Sequence, residues 1–350
     1  MRHACHRWTP RLGVAVVGVA LAAAATSCSS SPSVSHPLSH AATSTTASPP
    51  PPSTTTTTGA PSPSGSGWSA PLPVAKGHQL LASSCPTPQF CVVVDDAGNA
   101  YAFAGFWSGA QPLGVGTPAA GKAYVSCVGQ SFCMASMGNP QTTVWNGSSW
   151  GPPLSVPAPA RLQSLACASP TFCTMVDGEG DAFRYNGSRW SGTSGAWGGP
   201  TGSSCPDPNF CVATEGGGTA MWNGSSWAQP GDQDTQGALE SVSCTSASFC
   251  LTGDSSGDVL AWNGNTWTAP QMVDTAGSAN GPASIVGVSC VGATFCVGVD
   301  NAGHAIVYRS PAGWSAPIRV GSGAALTSVS CASTSFCLAT DASGDVVAYR

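Results

Sequence analysis

The chain of 350 residues carries 11 basic and 16 acidic side chains, 43 glycines and 29 prolines. That composition excludes long charged helices and favours many short strands joined by tight turns, an all-β prior. A formal net charge of −5, with every acid lying after residue 67, disfavours nucleic acid and anionic membrane surfaces as partners. Sixteen cysteines would be implausible as free thiols in a reducing cytosol, so their pairing implies an oxidising compartment.

The first 27 residues read as a signal peptide. Arg2, Arg7 and Arg11 precede a run of valine, alanine and glycine over residues 12–25, too short for a comfortable membrane span. The next residues, Ala25-Thr26-Ser27-Cys28, resemble a bacterial lipobox, although that family usually has leucine where this chain has Ala25. The resemblance implies cleavage before Cys28, its diacylation, and a protein anchored to the outer face of the bacterial cell membrane. Parity fits, because loss of Cys5 with the signal and acylation of Cys28 leave 14 cysteines. The alternative is ordinary secretion with Cys28 a free thiol. Residues 28–66 are serine, threonine, proline and glycine with almost nothing to bury, and read as a disordered linker or stalk.

From residue 67 to 350 one pattern repeats. Seven Cys-x5-Cys units occur: Cys85 and Cys91, Cys127 and Cys133, Cys167 and Cys173, Cys205 and Cys211, Cys244 and Cys250, Cys290 and Cys296, Cys331 and Cys337. Successive first cysteines are 42, 40, 38, 39, 46 and 41 residues apart, a repeat architecture. Zinc is the competing explanation of regular cysteines, but its ligand spacings are usually two to four residues. The expectation is one disulfide within each unit, clipping a hairpin.

Each unit divides into four strands. The segment before the first cysteine, ALTSVSC in the last unit, alternates apolar and small polar residues. A second strand begins at Phe-Cys, and Asp-x-x-Gly turns it into a third. The third ends in an aromatic residue followed by Asn-Gly at Trp145, Tyr185, Trp222 and Trp262, a strong hairpin signal. The fourth opens with Trp150, Trp190, Trp227, Trp267 or Trp314. Four antiparallel strands per 40 residues make a propeller blade. The last unit lacks its fourth strand, while residues 67–74 form an orphan one, and SGSGWSAPLPV nearly repeats SPAGWSAPIRV. The expected fold is therefore all-β, a seven-bladed β-propeller whose ring is closed by the N-terminal strand, leaving no open sheet edge. The repeat resembles the SVSC-x-S-x-S-F-C units of secreted actinobacterial proteins, largely of unknown function. More remotely, Asp-x-x-Gly before an aromatic is similar to the Asp-box turn of sialidase-type propellers.

Chemistry is harder to place. Asp95, Asp177, Asp254, Asp300 and Asp341 stand four residues after the second cysteine, with Glu215 and Met137 at that place in two units, and read as turn-capping residues. The sequons at Asn146, Asn186 and Asn223 read likewise as turns. The connections from fourth to first strands, which share a face with the Asp turns, vary in length and sequence. Irregularity on one face of a regular scaffold is where a binding site is expected. The candidate ligand-binding residues are Trp197, a tryptophan out of repeat register, Asp232 and Asp234 in the 229–237 segment, and Asp274 in the longest connector. His78 and His304 occupy different places in their repeats, so neither a metal site nor a cofactor is indicated. No catalytic residue is assigned. The reading is a non-catalytic, monomeric binding module for an extracellular protein or cell-wall glycan. The alternatives are a glycan-active hydrolase or lyase using acids at the channel mouth, and a wall-spacing protein that binds nothing specific.

Overall fold

The computed structural model describes residues 67–193, 195, 198–233, 236–277 and 283–350, and only the backbone of 229–232. The expected signal peptide, Cys28 and the linker lie outside the described residues. Among the described residues twenty-nine strands form seven antiparallel sheets. The innermost strands are Leu80–Thr87, Tyr124–Gly129, Leu162–Ser169, Gly202–Asp207, Leu239–Ser246, Ile285–Cys290 and Leu326–Ser333. Each of these touches the innermost strand of the next sheet, and the seventh touches the first, so the sheets are the blades of a seven-bladed β-propeller. Blades are numbered 1 to 7 in the order of these strands.

The second strand of a blade is packed between its neighbours on both sides, which is why it reads as continuous apolar sequence. Phe90–Asp95, Phe295–Asp300 and Phe336–Asp341 are buried at every position. All fourteen cysteines of the repeat are paired within their own unit, with Cα–Cα distances of 3.9–4.1 Å across the first hairpin. For loops this short the chain-entropy model gives about 2 kcal/mol per bridge. At the same end of every blade an aromatic residue closing the third strand packs on one opening the fourth. These pairs are Phe103–Trp107, Trp145–Trp150, Tyr185–Trp190, Trp222–Trp227, Trp262–Trp267, Tyr308–Trp314 and Tyr349–Trp68, with ring centroids 5.2–5.8 Å apart.

The serine before the first cysteine joins one blade to the next. The hydroxyls of Ser84, Ser126, Ser204, Ser243, Ser289 and Ser330 accept the backbone N–H of Cys127, Cys167, Cys244, Cys290, Cys331 and Cys85, at 2.8–3.0 Å. The Ser-Cys dipeptide is thus a blade-to-blade hydrogen bond, each of them a net contribution of about 1 kcal/mol. Blade 3 departs from the pattern with Ala166.

The expected fourth strands are shorter than the sequence suggested. In blades 1, 2, 5, 6 and 7 the chain leaves the ladder after the tryptophan and returns for a two-residue rung: Gln111–Pro112, Leu154–Ser155, Gln271–Met272, Ile318–Arg319 and Leu72–Pro73. In the last four of these the interruptions fall at Pro152-Pro153, Pro270, Pro317 and Pro71, residues without an N–H and at home on an edge. Except in blade 2, where Gly151 follows the tryptophan, a side chain fills the gap. Ser69, Ser108, Thr268 and Ser315, each directly after its tryptophan, donate their N–H to the third strand and accept one back on the hydroxyl, at 2.8 and 3.0 Å. The Trp-Ser or Trp-Thr pair therefore supplies a rung of the ladder from a side chain.

Ring closure is as expected. Leu72 and Pro73 pair with Val346 and Asp345 of the last blade, Trp68 bridges Tyr349, and Arg350 donates to the Gly67 carbonyl at 2.8 Å.

Candidate functional site

The Asp turns build one face of the ring. In Asp95, Asp177, Asp254, Asp300 and Asp341 one carboxylate oxygen accepts the backbone N–H groups two and four residues on, at 2.6–3.0 Å. All five residues are buried. These acids are turn caps, as their recurrence implied. Blade 2, which has Met137 at the equivalent place, uses the neighbouring Ser136 hydroxyl, which accepts from Gly138 and donates to the Gln141 carbonyl. On the opposite face Asn146, Asn186, Asn223 and Asn263 cap their hairpins by accepting the N–H groups two and three residues on.

Connectors dock on the turns. The Gly98, Gly138, Gly216, Gly257, Gly303 and Gly344 carbonyls, in the turns of six blades, accept N–H groups from connector segments crossing that face. Variable connectors therefore ride on an invariant rim, and the channel opens among them.

That opening is a cavity of about 390 Å³ lined by the innermost strands of all seven blades. Its walls come from positions two to six before the first cysteine, so it occupies the connector half of the channel and stops short of the disulfides. The polar lining includes Ser83, Thr201, Thr327, Ser328 and Tyr124, with one base, Lys122, and one acid, Glu240. Ser83 and Ser328 share a 2.9 Å hydrogen bond across the first and last blades. The Ser164, Ser203 and Ser241 hydroxyls are buried in the wall without a protein partner. Burial raises the Tyr124 hydroxyl pKa, which keeps it a hydrogen-bond donor at neutral pH. Sequence reasoning missed this lining. The signal was Tyr124 itself: three residues before the first cysteine the other blades carry Ala82, Ser164, Gly202, Ser241, Gly287 and Ser328, all small.

The residues proposed from sequence are not brought together. Trp197 and Asp234 lie outside the described residues. Asp232 is on a strand, Trp227–Asp232, facing Gly218, so the outer strand of blade 4 runs further than expected and the connector is correspondingly shorter. Next to Trp197, the Gly198 N–H donates to the Glu215 carboxylate at 2.6 Å. Asp274 is fully buried beneath the connector from blade 5 to blade 6. Desolvation, opposed by the Ala276 N–H and reinforced by Asp300, lifts its pKa to about 6. Buried this completely, Asp274 and Asp300 present no carboxylate pair to a sugar of the kind glycoside hydrolysis uses. Among the described residues no group of three or more His, Cys, Asp or Glu is placed to hold a metal ion.

Fold and rim together define a propeller of the kind that presents variable connectors around a central channel. No protein-family model matches the chain, and no curated protein does. Solved structures do share its fold. YCF48 from Cyanidioschyzon merolae superposes with a TM-score of 0.62 at 15% identity, over 81% of this chain and 98% of that one. A structure of YCF48 bound to D1 peptide gives 0.64 at 14% identity, over 83% and 98%. The RRP9 WD40 repeats give 0.68 at 11% identity, again over 83% and 98%. At these identities the likeness is one of fold.

Proposed function

We propose that this protein is a non-catalytic binding module whose connector face receives a segment of an extracellular protein. The observation that carries the reading is the cavity of about 390 Å³ opening among the variable connectors, within the range of small-ligand and side-chain pockets. Its lining of hydroxyls with a single Lys122 and a single Glu240 suits hydrogen bonding to peptide groups more than acid–base chemistry. Among solved structures of this fold, YCF48 has a peptide bound. Trp197, Asp232 and Asp234 are the contact residues in this reading, with Asp274 fixing its connector from beneath. A cell-wall glycan is the second reading, favoured by the same hydroxyls. In this reading the module acts as a monomer.

The test offers full-length protein a secretome digest and a cell-wall digest. A ligand recovered by the wild type should be lost or weakened at least tenfold in Trp197→Ala and after shortening within 277–282, which spares the buried Asp274, with thermal stability changed by less than about 1 kcal/mol, as for surface loops. Changes on the opposite face, such as Gly147→Ala, should cost stability and leave affinity unchanged. The reverse pattern would place the site on the hairpin face.

In this reading the module is held outside the cell by lipid at Cys28, the linker of residues 28–66 lifting it from the membrane. Its repeat is then of the SVSC type found in secreted actinobacterial proteins. Cys28→Ala should move the protein from the membrane fraction to the medium with an unchanged melting temperature. Retention of the variant in the membrane fraction would exclude the lipid as the anchor.

A further inference from the structure

We propose that the channel cavity receives a lysine or arginine side chain, its cation held on Glu240, so that the segment bound by this module is a basic one. The proposal rests on the reading of the connector face as a peptide site and adds the chemistry of the occupant.

Charge divides the ring into two halves. The second-to-third turns, the connectors and the strand ends beside them make one half, and among the described residues it holds every acid but Asp207. Fourteen acids there face four bases, Lys76, Lys122, Arg161 and Arg319. The opposite half, with the disulfide and Asn-Gly hairpins, carries Asp207 together with Arg184, Arg189, Arg309 and Arg350. A basic segment is therefore drawn to the connector face and an acidic one repelled, and the cavity opens at the centre of that field.

Inside the cavity the unused polar capacity is concentrated on one wall. On the side of blades 7 and 1 the hydroxyls are engaged, Ser83 with Ser328 at 2.9 Å and Thr327 with Thr340 at 2.8 Å. On the side of blades 3 to 5, Ser164 is 1% exposed, and its hydroxyl, like those of Ser203 and Ser241, has no partner. Glu240 stands half-buried on this same wall. Among the described residues its carboxylate has neither a hydrogen-bond nor an ion-pair partner. Lys122, the one base lining the cavity, is exposed and belongs to blade 2, three blades away round the ring, so it does not neutralise that carboxylate. A carboxylate partly withdrawn from water with no counter-charge is a site for a cation. Hydroxyl oxygens beside it can accept the remaining N–H groups of an ammonium or guanidinium.

The facing wall suits the rest of such a side chain. Leu81, Val125 and Val329, from blades 1, 2 and 7, line it, apolar surface for the methylene stem of a long basic residue. An acidic side chain would bring its charge against Glu240, and an apolar one would leave the carboxylate and the serine hydroxyls unpaired.

Peptide binding to the full-length protein tests the proposal, with labelled Gly-Ser peptides that carry lysines, arginines, glutamates or no charge. At low salt the lysine or the arginine peptide should bind about tenfold or more tighter than the neutral one, and the glutamate peptide should not bind. Glu240→Gln keeps the shape and removes the charge; it should lower affinity for the basic peptide about tenfold and leave the neutral peptide unchanged. Lys122→Ala, which removes a like charge from the mouth, should raise affinity for the basic peptide. A neutral peptide bound as tightly as the basic ones would overturn the inference while leaving the peptide-binding reading intact. Equal affinity of wild type and Glu240→Gln for the basic peptide would overturn it too, since the attraction would then belong to the acidic face and not to the channel. Should Glu240→Gln fail to fold, Lys122→Ala decides, and no gain in affinity overturns the inference. If no peptide binds and the cell-wall digest does, the peptide reading and the inference fall together.

Discussion

Removing residues 67–74 should cost the propeller most of its stability, although they form only one short edge strand. Trp68 is 1% exposed and packs on Tyr349; truncating a buried tryptophan costs about 3 to 5 kcal/mol. The same segment supplies the Ser69 exchange with Ala348, the bond from Val74 to Gly344, and the Arg350 bond to Gly67, each a net contribution of about 1 kcal/mol. The loss is about 5 to 10 kcal/mol, comparable with the whole stability of a typical domain. It also bares the Asp345–Tyr349 strand as an edge open to other chains. The expected result is a melting temperature lowered by more than 10 °C, or aggregation on expression. Shortening residues 29–64 should shift it by less than about 2 °C. Equal effects of the two deletions would refute closure by the N-terminal strand.

Architecture was legible because every blade repeats the same physical solutions at the same spacing. Cysteines six apart fall opposite each other across a tight hairpin. Aspartate four residues further on caps the next turn, and Asn-Gly caps the one after. Other repeated residues were visible without their reasons being so. The serine before the first cysteine looked like a small polar residue in an alternating strand, yet it accepts a hydrogen bond from the neighbouring blade, a partner about 40 residues away. Ser69, Ser108, Thr268 and Ser315, each after its tryptophan, likewise needed the third strand beside them before their hydroxyls had a role. The proline breaks in the outer strands were overlooked because the tryptophan register dominated the reading.

The site was less legible for a related reason. A repeat announces what is common to the blades, whereas function on such a scaffold lies in what is not. Trp197 stood out by breaking register, but Lys122, Tyr124 and Glu240 sit inside regular strands and converge only when the ring closes. Asp274 was chosen as an acid in a long exposed connector. Its full burial comes from a fold that docks the connector on two neighbouring turns, which length and composition do not reveal.

Gly344→Ala should be among the most damaging single substitutions in the ring, well beyond a turn glycine with space around it such as Gly147. Gly344 has φ +84°, where a β-carbon is already strained. That strain alone is shared with Gly147, at φ +99°, whose added methyl would stand 3.4 Å from the Ser131 Cα in ordinary contact. At Gly344 the methyl would instead collide with the backbone carbonyls of Ala75 and His78, which belong to the turn carrying the chain from blade 7 into blade 1. Neither carbonyl can yield freely. Ala75 accepts from His78 at 2.9 Å, and both Val74 and Ala75 donate to Gly344 at 3.0 Å, so moving the turn breaks the bonds that close the ring. We expect about 1 kcal/mol for Gly147→Ala from backbone strain and about 3 kcal/mol or more for Gly344→Ala, where backbone clash is added. Trypsin should report the difference locally, cutting after the exposed Lys76 much faster in Gly344→Ala than in wild type or Gly147→Ala. If both variants lose the same stability and Lys76 stays protected in each, the seam between the last and first blades is not held by this contact.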